Sequence, residues 1–174
     1  AKTKDDAIDA SNLTAEEKDA LKKTVAGEVK TAKDNIDAAT KDADVTTAKN
    51  TGVGKINNIT VPTTSATKDA ANKAIDEALN NKKSEINGAT NIDQPTKDNL
   101  IKEATDAATK AKDAIDKAKT NNDVATEQTK GTNAIDAVKV PSLTDSQTAA
   151  KKAIDDALNN KKSEINGATN IDQP

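Results

Sequence analysis

"KAIDEALNNKKSEINGATNIDQP" occupies residues 73–95 and returns at 152–174 as "KAIDDALNNKKSEINGATNIDQP". The two copies differ at one position, Glu77 against Asp156. From Lys73 to Lys152 the offset is 79 residues, and it extends beyond the quoted stretch. Residues 12–62 align with 91–141 at the same offset, with 18 identities in 51 positions. They include the pairs Leu21/Leu100, Ile36/Ile115, Val45/Val124, Gly52/Gly131, Ile56/Ile135 and Pro62/Pro141. A period of this size marks a repeated architecture and takes precedence over any single-domain reading.

Three helical patterns recur in each repeat. Pattern A covers about 66–87 and 145–166, with Ala71, Ile75, Ala78, Leu79 and Ile86 spaced for one helix face. Pattern B covers about 15–41 and 94–120. Its stripe is Leu100, Ala104, Ala108, Ala111, Ile115 and Ala118, matched by Leu21, Val25, Val29, Ala32, Ile36 and Ala39. Pattern C covers about 45–59 and 124–139, with Val124, Gly131, Ile135 and Val138 against Val45, Gly52, Ile56 and Ile59. No stretch reads as a strand of useful length. Alanine supplies about half of each stripe, so the helix axes must approach closely. A mid-helix Gly, which otherwise costs about 1 kcal/mol relative to Ala, fits that requirement at Gly52 and Gly131.

The helix ends are marked as well. Thr14-x-x-Glu17 and Thr144-x-x-Gln147 match the capping box. Asp44, Asp93 and Asp123 are N-cap candidates. Pro95 falls in a first turn, and Gly88 and Gly167 sit where a left-handed C-terminal residue is expected. Acid-then-Lys pairs at i,i+4 are expected at Asp69–Lys73, Asp98–Lys102, Asp106–Lys110 and Asp113–Lys117. The fold class is therefore all-α: tandem three-helix bundles with a 79-residue repeat, forming an elongated rod.

Two frames divide the rod. Cut A–B–C, 1–62 is a first module with a truncated helix at about 2–10, 63–141 is a complete module, and 142–174 is the first helix of another. Cut B–C–A, 12–88 and 91–167 are two complete bundles. The Pro-containing connection favours the first cut as a boundary.

Composition narrows the chemistry. The chain lacks Cys, Met, Phe, Trp, Tyr, His and Arg, and its 26 Lys face 29 acids for a net charge of −3. Ile, Val and Leu together number only 27 of 174 residues. Without Cys there is no disulfide, thiolate metal site or thiol nucleophile. No apolar run approaches a membrane span. Neither an initiator Met nor a signal peptide is present, so the chain reads as an excised or mature segment. The absence of Arg and aromatics, with the slight acidity, argues against nucleic acid. No catalytic, cofactor-binding or metal-binding residue is assigned. The neighbours Lys83 and Ser84 read as an exposed turn rather than a dyad, and the oxygen-rich 120–127 as a helix cap rather than a calcium loop. The sequons at Asn12 and Asn58 and the Asn87-Gly88 and Asn166-Gly167 pairs read as chance and as turns. The Ala stripes read as each module's own core rather than as grooves for a partner.

"AAKKAIDDALNNKKSEI" (149–165), "NLTAEEKDAL" (12–21) and "AKDNIDAATKDADVTTAKNTGVGKI" (32–56) together resemble a known kind of repeat. It is the Ala-rich helical repeat, of a family named only as a domain of unknown function, in large Gram-positive cell-wall-anchored surface proteins of the extracellular-matrix-binding type. The I-x-x-A-T-x-x-x-D-V pattern from Ile36 to Val45 carries much of the likeness, which covers nearly the whole chain. The resemblance implies exported three-helix modules in long arrays, held at the wall and projecting an adhesive region linked to biofilm. It supplies no catalytic residues. The second copy departs from the pattern at 120–123 and at Pro95, positions that touch only turns and caps.

The leading expectation for function is therefore a non-catalytic stalk, monomeric, partnered by neighbouring repeats in its own chain. One alternative is direct binding of a host matrix or cell-surface ligand. Another is a desiccation protectant, because "ATDAATKAKDAIDKAKT" (104–120) resembles late-embryogenesis-abundant repeats.

Overall fold

The computed structural model describes residues 2–168 and contains seven helices. In chain order they are α1 (Lys2–Ala10), α2 (Ala15–Asp37), α3 (Asp42–Asn58), α4 (Ala66–Gly88), α5 (Gln94–Lys117), α6 (Asn121–Asp136) and α7 (Leu143–Gly167). No strand occurs among the described residues. The end of the second copy of the opening stretch, 169–174, lies outside them. No described helix is long and apolar enough to cross a membrane.

Helices α4, α5 and α6 pack on one another, each against the other two. Their core is Ala71 and Ile75 from α4, Ala108, Ala111 and Ile115 from α5, and Val124 and Ile135 from α6. Ile75, Ile115 and Ile135 are fully buried. The crowding at Gly131 shows how small residues compress this core. A Cβ placed there would meet the Cβ of Ala111 and lie 2.7 Å from Cδ1 of Ile75. Glycine is present because two helices cross at that point with no room for a methyl group.

Helices α2 and α3 repeat the α5–α6 pairing, and the short α1 lies against α2. A buried or half-buried lysine does the same work in both units. Lys82 on α4 donates to the carbonyl of Asp136 at 3.1 Å, and Lys4 on α1 donates to that of Asn57 at 3.2 Å. These carbonyls close α6 and α3, where a cation is favoured by the helix dipole. Lys97 and Lys18 likewise donate to the carbonyls of Asn87 and Asp9, each at 2.9 Å. The two units differ in their first helix. Helix α1 has 9 residues where α4 has 23, and Val45 is 38% exposed where its counterpart Val124 is 1%.

Several expected helix ends differ from the sequence reading. The Thr14–Glu17 box and the Asp93 cap form as expected. Helix α6 is capped by Thr120, with Asp123 as its reciprocal partner rather than as the cap itself. Helix α7 begins one turn's fraction earlier than Thr144-x-x-Gln147 implies, because Ser142 and Asp145 form the box. Helix α3 starts before Asp44, at Asp42, with Lys41 in the N-cap position and no side-chain cap. For α6 and α7 an earlier hydroxyl accepts from the N–H at N3, so the helix starts at the first available acceptor. Gly88 and Gly167 end their helices without a left-handed turn, and no described residue has positive φ. The chain instead leaves through Ala89 and Ala168 in extended conformation, which any residue adopts.

None of the four expected acid-then-Lys pairs forms. The i,i+4 pairs run the other way, as in Lys30–Asp34, Lys102–Asp106 and Lys152–Asp156. Competition accounts for three of the four. Asp69 accepts from the Thr64 hydroxyl, Asp98 from the Gln94 amide, and Asp106 from Lys102.

Candidate functional site

The described residues contain no group of three or more carboxylates able to hold a metal ion. Ser84 donates its hydroxyl to the carbonyl of Asn80 at 2.9 Å, bonding back along its own helix rather than to Lys83. The 120–127 segment spends its oxygens on capping, with Thr120 accepting from the N–H of Asp123 at 3.1 Å. A shallow groove between α5 and α6 has a floor of small residues, including Ala107, Ala114 and Ala134, and a rim of Lys102, Glu103 and Lys130.

Polar groups converge most densely where the first helical unit meets the second. Among the described residues four polar or charged ones are buried, and three of them, Thr14, Ser65 and Lys68, lie at this junction. Buried polar groups are retained when they are hydrogen-bonded, and each of these has a partner.

Glu17 stands at the centre. One carboxylate oxygen, Oε2, accepts the N–H of Thr14 at 2.9 Å and completes the capping box of α2. The other, Oε1, accepts both the N–H and the hydroxyl of Thr67 at 3.1 Å. Thr67 lies in the first turn of α4, so one carboxylate caps two helices in two units. Burial pushes the Glu17 carboxyl up, but the hydrogen bonds from Thr14, Ser65 and Thr67 outweigh it and bring it down to about 2.

The neighbouring contacts follow the same logic. Glu16 accepts the N–H of Asn121 at 2.9 Å, at the start of α6. The N–H of Ala15 donates to the carbonyl of Lys119 at 2.8 Å, a backbone bond across the junction. Lys68 extends its ammonium to the carbonyl of Asp116, near the end of α5, at 2.8 Å and to Oδ1 of Asn12 at 3.1 Å. Leu13 is buried beneath them. Anions thus sit where the N-termini of α2, α4 and α6 converge, and a cation sits at the C-terminus of α5. Both placements are those the helix dipole favours. Mechanically, the arrangement fixes the end of one unit on the end of the next.

Sequence reading identified Thr14 and Glu17 as a cap but not as a joint. It missed Glu16, Ser65, Thr67 and Lys68. At the 79-residue offset Glu16, Glu17, Thr67 and Lys68 become Pro95, Thr96, Ser146 and Gln147. Most positions of 12–62 also change at that offset, the buried Val25 to Ala104 among them, so the change alone did not single these residues out.

No curated protein and no solved structure matches the chain. The family model described as Domain of Unknown Function (DUF1542) matches twice, over residues 1–64 and 67–143. The two matches meet at the connection between α3 and α4, beside the Glu17 joint. Together they cover most of the chain, which accordingly belongs to the DUF1542 family as a tandem helical repeat region.

Proposed function

We propose that this chain is a segment of a stalk that holds an adhesive region away from the wall of a Gram-positive bacterium, and that it performs no catalysis. Its unit is the A–B–C module, complete in 63–141, preceded by a shortened module in 1–62 and followed by the first helix of another in 142–174. The observation that carries the reading is the end-to-end joint through Glu16, Glu17 and Lys68. A joint of that kind turns copy number into length, because each module adds its own long axis. The 23 residues of α4 give about 35 Å per module. The near balance of Lys and acid keeps such a stalk hydrated without strong self-repulsion. Direct adhesion through these faces has less support, since the α5–α6 groove offers small residues and mixed charge rather than the aromatic or Arg anchors of binding hot spots.

Small-angle scattering tests the geometry. Two modules and α7 in line extend on the order of 100 Å, giving a radius of gyration of roughly 30 Å. A compact domain of this length has about 16 Å. The smaller value refutes the reading. In the parent protein, deleting whole modules should shorten the reach of the terminal region and leave its ligand affinity unchanged.

A further inference from the structure

We propose that the cleft beside the Glu17 joint is an oxyanion site that takes phosphate or a phosphate ester. The cleft has a volume of about 690 Å³. Its walls are the α1–α2 loop, the first turns of α2 and α4, and the end of α5 with the residues after it, all internal to the chain. Lys18, Lys68, Lys117 and Lys119 line it, with Asp116 as the one acid among them. Leu13, Ala15 and Ala118 supply an apolar part of the lining.

The first observation is that these lysines have no acid of their own. Lysines elsewhere reach acids across helix contacts, as in Lys22–Asp9 and Lys112–Asp76. None of the four in the cleft forms an ion pair among the described residues. The acids around the joint are already engaged. Asp116 accepts from the Asn72 amide at 3.2 Å, Glu16 from the N–H of Asn121, and Glu17 from Thr14 and Thr67. Cations gathered in one cleft without matching acids draw anions to it.

The second observation is the state of Lys68. It is 4% exposed, and its ammonium meets two oxygens, the carbonyl of Asp116 at 2.8 Å and Oδ1 of Asn12 at 3.1 Å. Both are neutral. An ammonium has three N–H donors, so one remains for a ligand. A buried charge without a counter-charge is costly, and an oxyanion would supply both the counter-charge and the third acceptor. Lys18 is placed in the same way. It donates to the carbonyl of Asp9 at 2.9 Å and keeps two donors. Lys117 and Lys119 are exposed at the rim.

Phosphate suits this set better than a carboxylate. The donors come from α2, from α4 and from the end of α5, and a tetrahedral group with several oxygens can accept from all three. Lysine serves phosphate as a point charge, without the planar fork that matches a carboxylate. The cleft is larger than a bare phosphate, which leaves room for the organic part of an ester beside Leu13, Ala15 and Ala118. Lys18 belongs to the first unit and the other three lysines to the second, so the anion ties the two units together. The proposal rests on the junction and not on the stalk reading, so either can fail alone.

The full chain is titrated with inorganic phosphate and, separately, with phenyl phosphate, at an ionic strength held constant with chloride. Backbone amide resonances of Leu13, Ala15, Ala118 and Lys119 should shift and saturate. A Kd on the order of 1 mM is expected for phosphate, the strength of about two charge-assisted hydrogen bonds. Either order of affinity supports the site, and the tighter probe identifies the ester or the free ion as the ligand. Lys117→Ala combined with Lys119→Ala should weaken binding about five-fold or more and leave the thermal melt in chloride unchanged. Lys68→Gln, which places there the residue found at position 147, should abolish saturation while circular dichroism at 222 nm confirms the fold. Lys49→Ala combined with Lys55→Ala removes the same charge from exposed positions elsewhere and should leave binding intact. Equal weakening by the two double variants reveals general charge attraction and overturns the proposal. So do shifts that stay linear to about 20 mM phosphate, or equal shifts with chloride alone.

Discussion

Replacing Glu17 by Gln isolates the charge at the joint. Gln retains the shape and can still complete the capping box with Thr14, so helix α2 keeps its start. What disappears is the carboxylate that accepts from Thr14 and Thr67 together. The native carboxyl titrates at about 2, against an ordinary value of 4.5. That separation corresponds to at most about 3 kcal/mol of folding free energy. Glu17 is only half-buried, and water screens part of the effect, leaving about 1–2 kcal/mol. The sign follows from the depressed value. Above about pH 5 both folded and unfolded chains carry the charge, and the full stabilisation is present. As pH falls from about 4.5 towards 2, the unfolded chain takes up the proton first, and the contribution is lost. Less than half remains at about pH 3.

With no aromatic residue for fluorescence, the assay is circular dichroism at 222 nm, comparing urea and thermal melts of both proteins from pH 7 to pH 2.5. At pH 7, Glu17→Gln should be less stable by about 1–2 kcal/mol, or about 3–8 °C in a chain of this size. The difference should shrink below pH 4.5 and fall to about a quarter of its full size at pH 2.5. Spin labels at Ala20→Cys and Ala70→Cys, both exposed positions flanking the joint, should give a broader distance distribution in the variant. Identical melts at pH 7, or a difference that stays constant down to pH 2.5, would refute the reasoning.

Three further outcomes follow from packing. Gly131→Ala should destabilise by about 1–3 kcal/mol, because crowding against Ala111 and Ile75 outweighs the better helix propensity; Gly27→Ala, with nothing within 4 Å, should instead stabilise by up to about 1 kcal/mol. Ile75→Ala should cost about 2–4 kcal/mol, whereas Ile154→Ala in dilute solution should change the melt by less than about 0.5 kcal/mol, and equal costs would contradict the burial difference. Lys68→Ala should lose about 1–3 kcal/mol, since the carbonyl of Asp116 and the amide of Asn12 lose their shared donor.

The apolar stripes of patterns A, B and C placed the helices close to where they lie. A stripe records burial over several turns, so one displaced residue does not erase it. The caps were less legible, because competing acceptors stand within three residues of each other. Thr120 and Asp123 both suit an N-cap, as do Ser142 and Thr144, and only the path of the preceding loop decides between them. The ion pairs failed for a related reason: an i,i+4 spacing shows reach but not rivals, and Thr64 and Gln94 were the rivals. The joint was least legible. Glu17 and Thr67 are separated by 50 residues, and no periodicity within a helix encodes that contact.

The two copies of helix A are nearly identical from Lys73 onward, whereas the residues of the joint differ. The crowded crossing at Gly131 keeps a glycine at its counterpart Gly52. The joint is constrained only by whether charges and caps meet. Asn12 has Asn91 as its counterpart, but Glu17 and Thr67 give way to Thr96 and Ser146, and Lys68 to Gln147. At the second boundary the polar contacts are local or weak: Asn91 donates to the carbonyl of Pro141 at 2.7 Å, and Asp145 serves Ser142 and Lys139. A bond between neutral groups contributes about half as much as one to a charged group. Where Glu17 bridges two helices 50 residues apart, its counterpart Thr96 donates its N–H to Asp93 within its own cap, so a carboxylate at that one position is what ties α2 to α4.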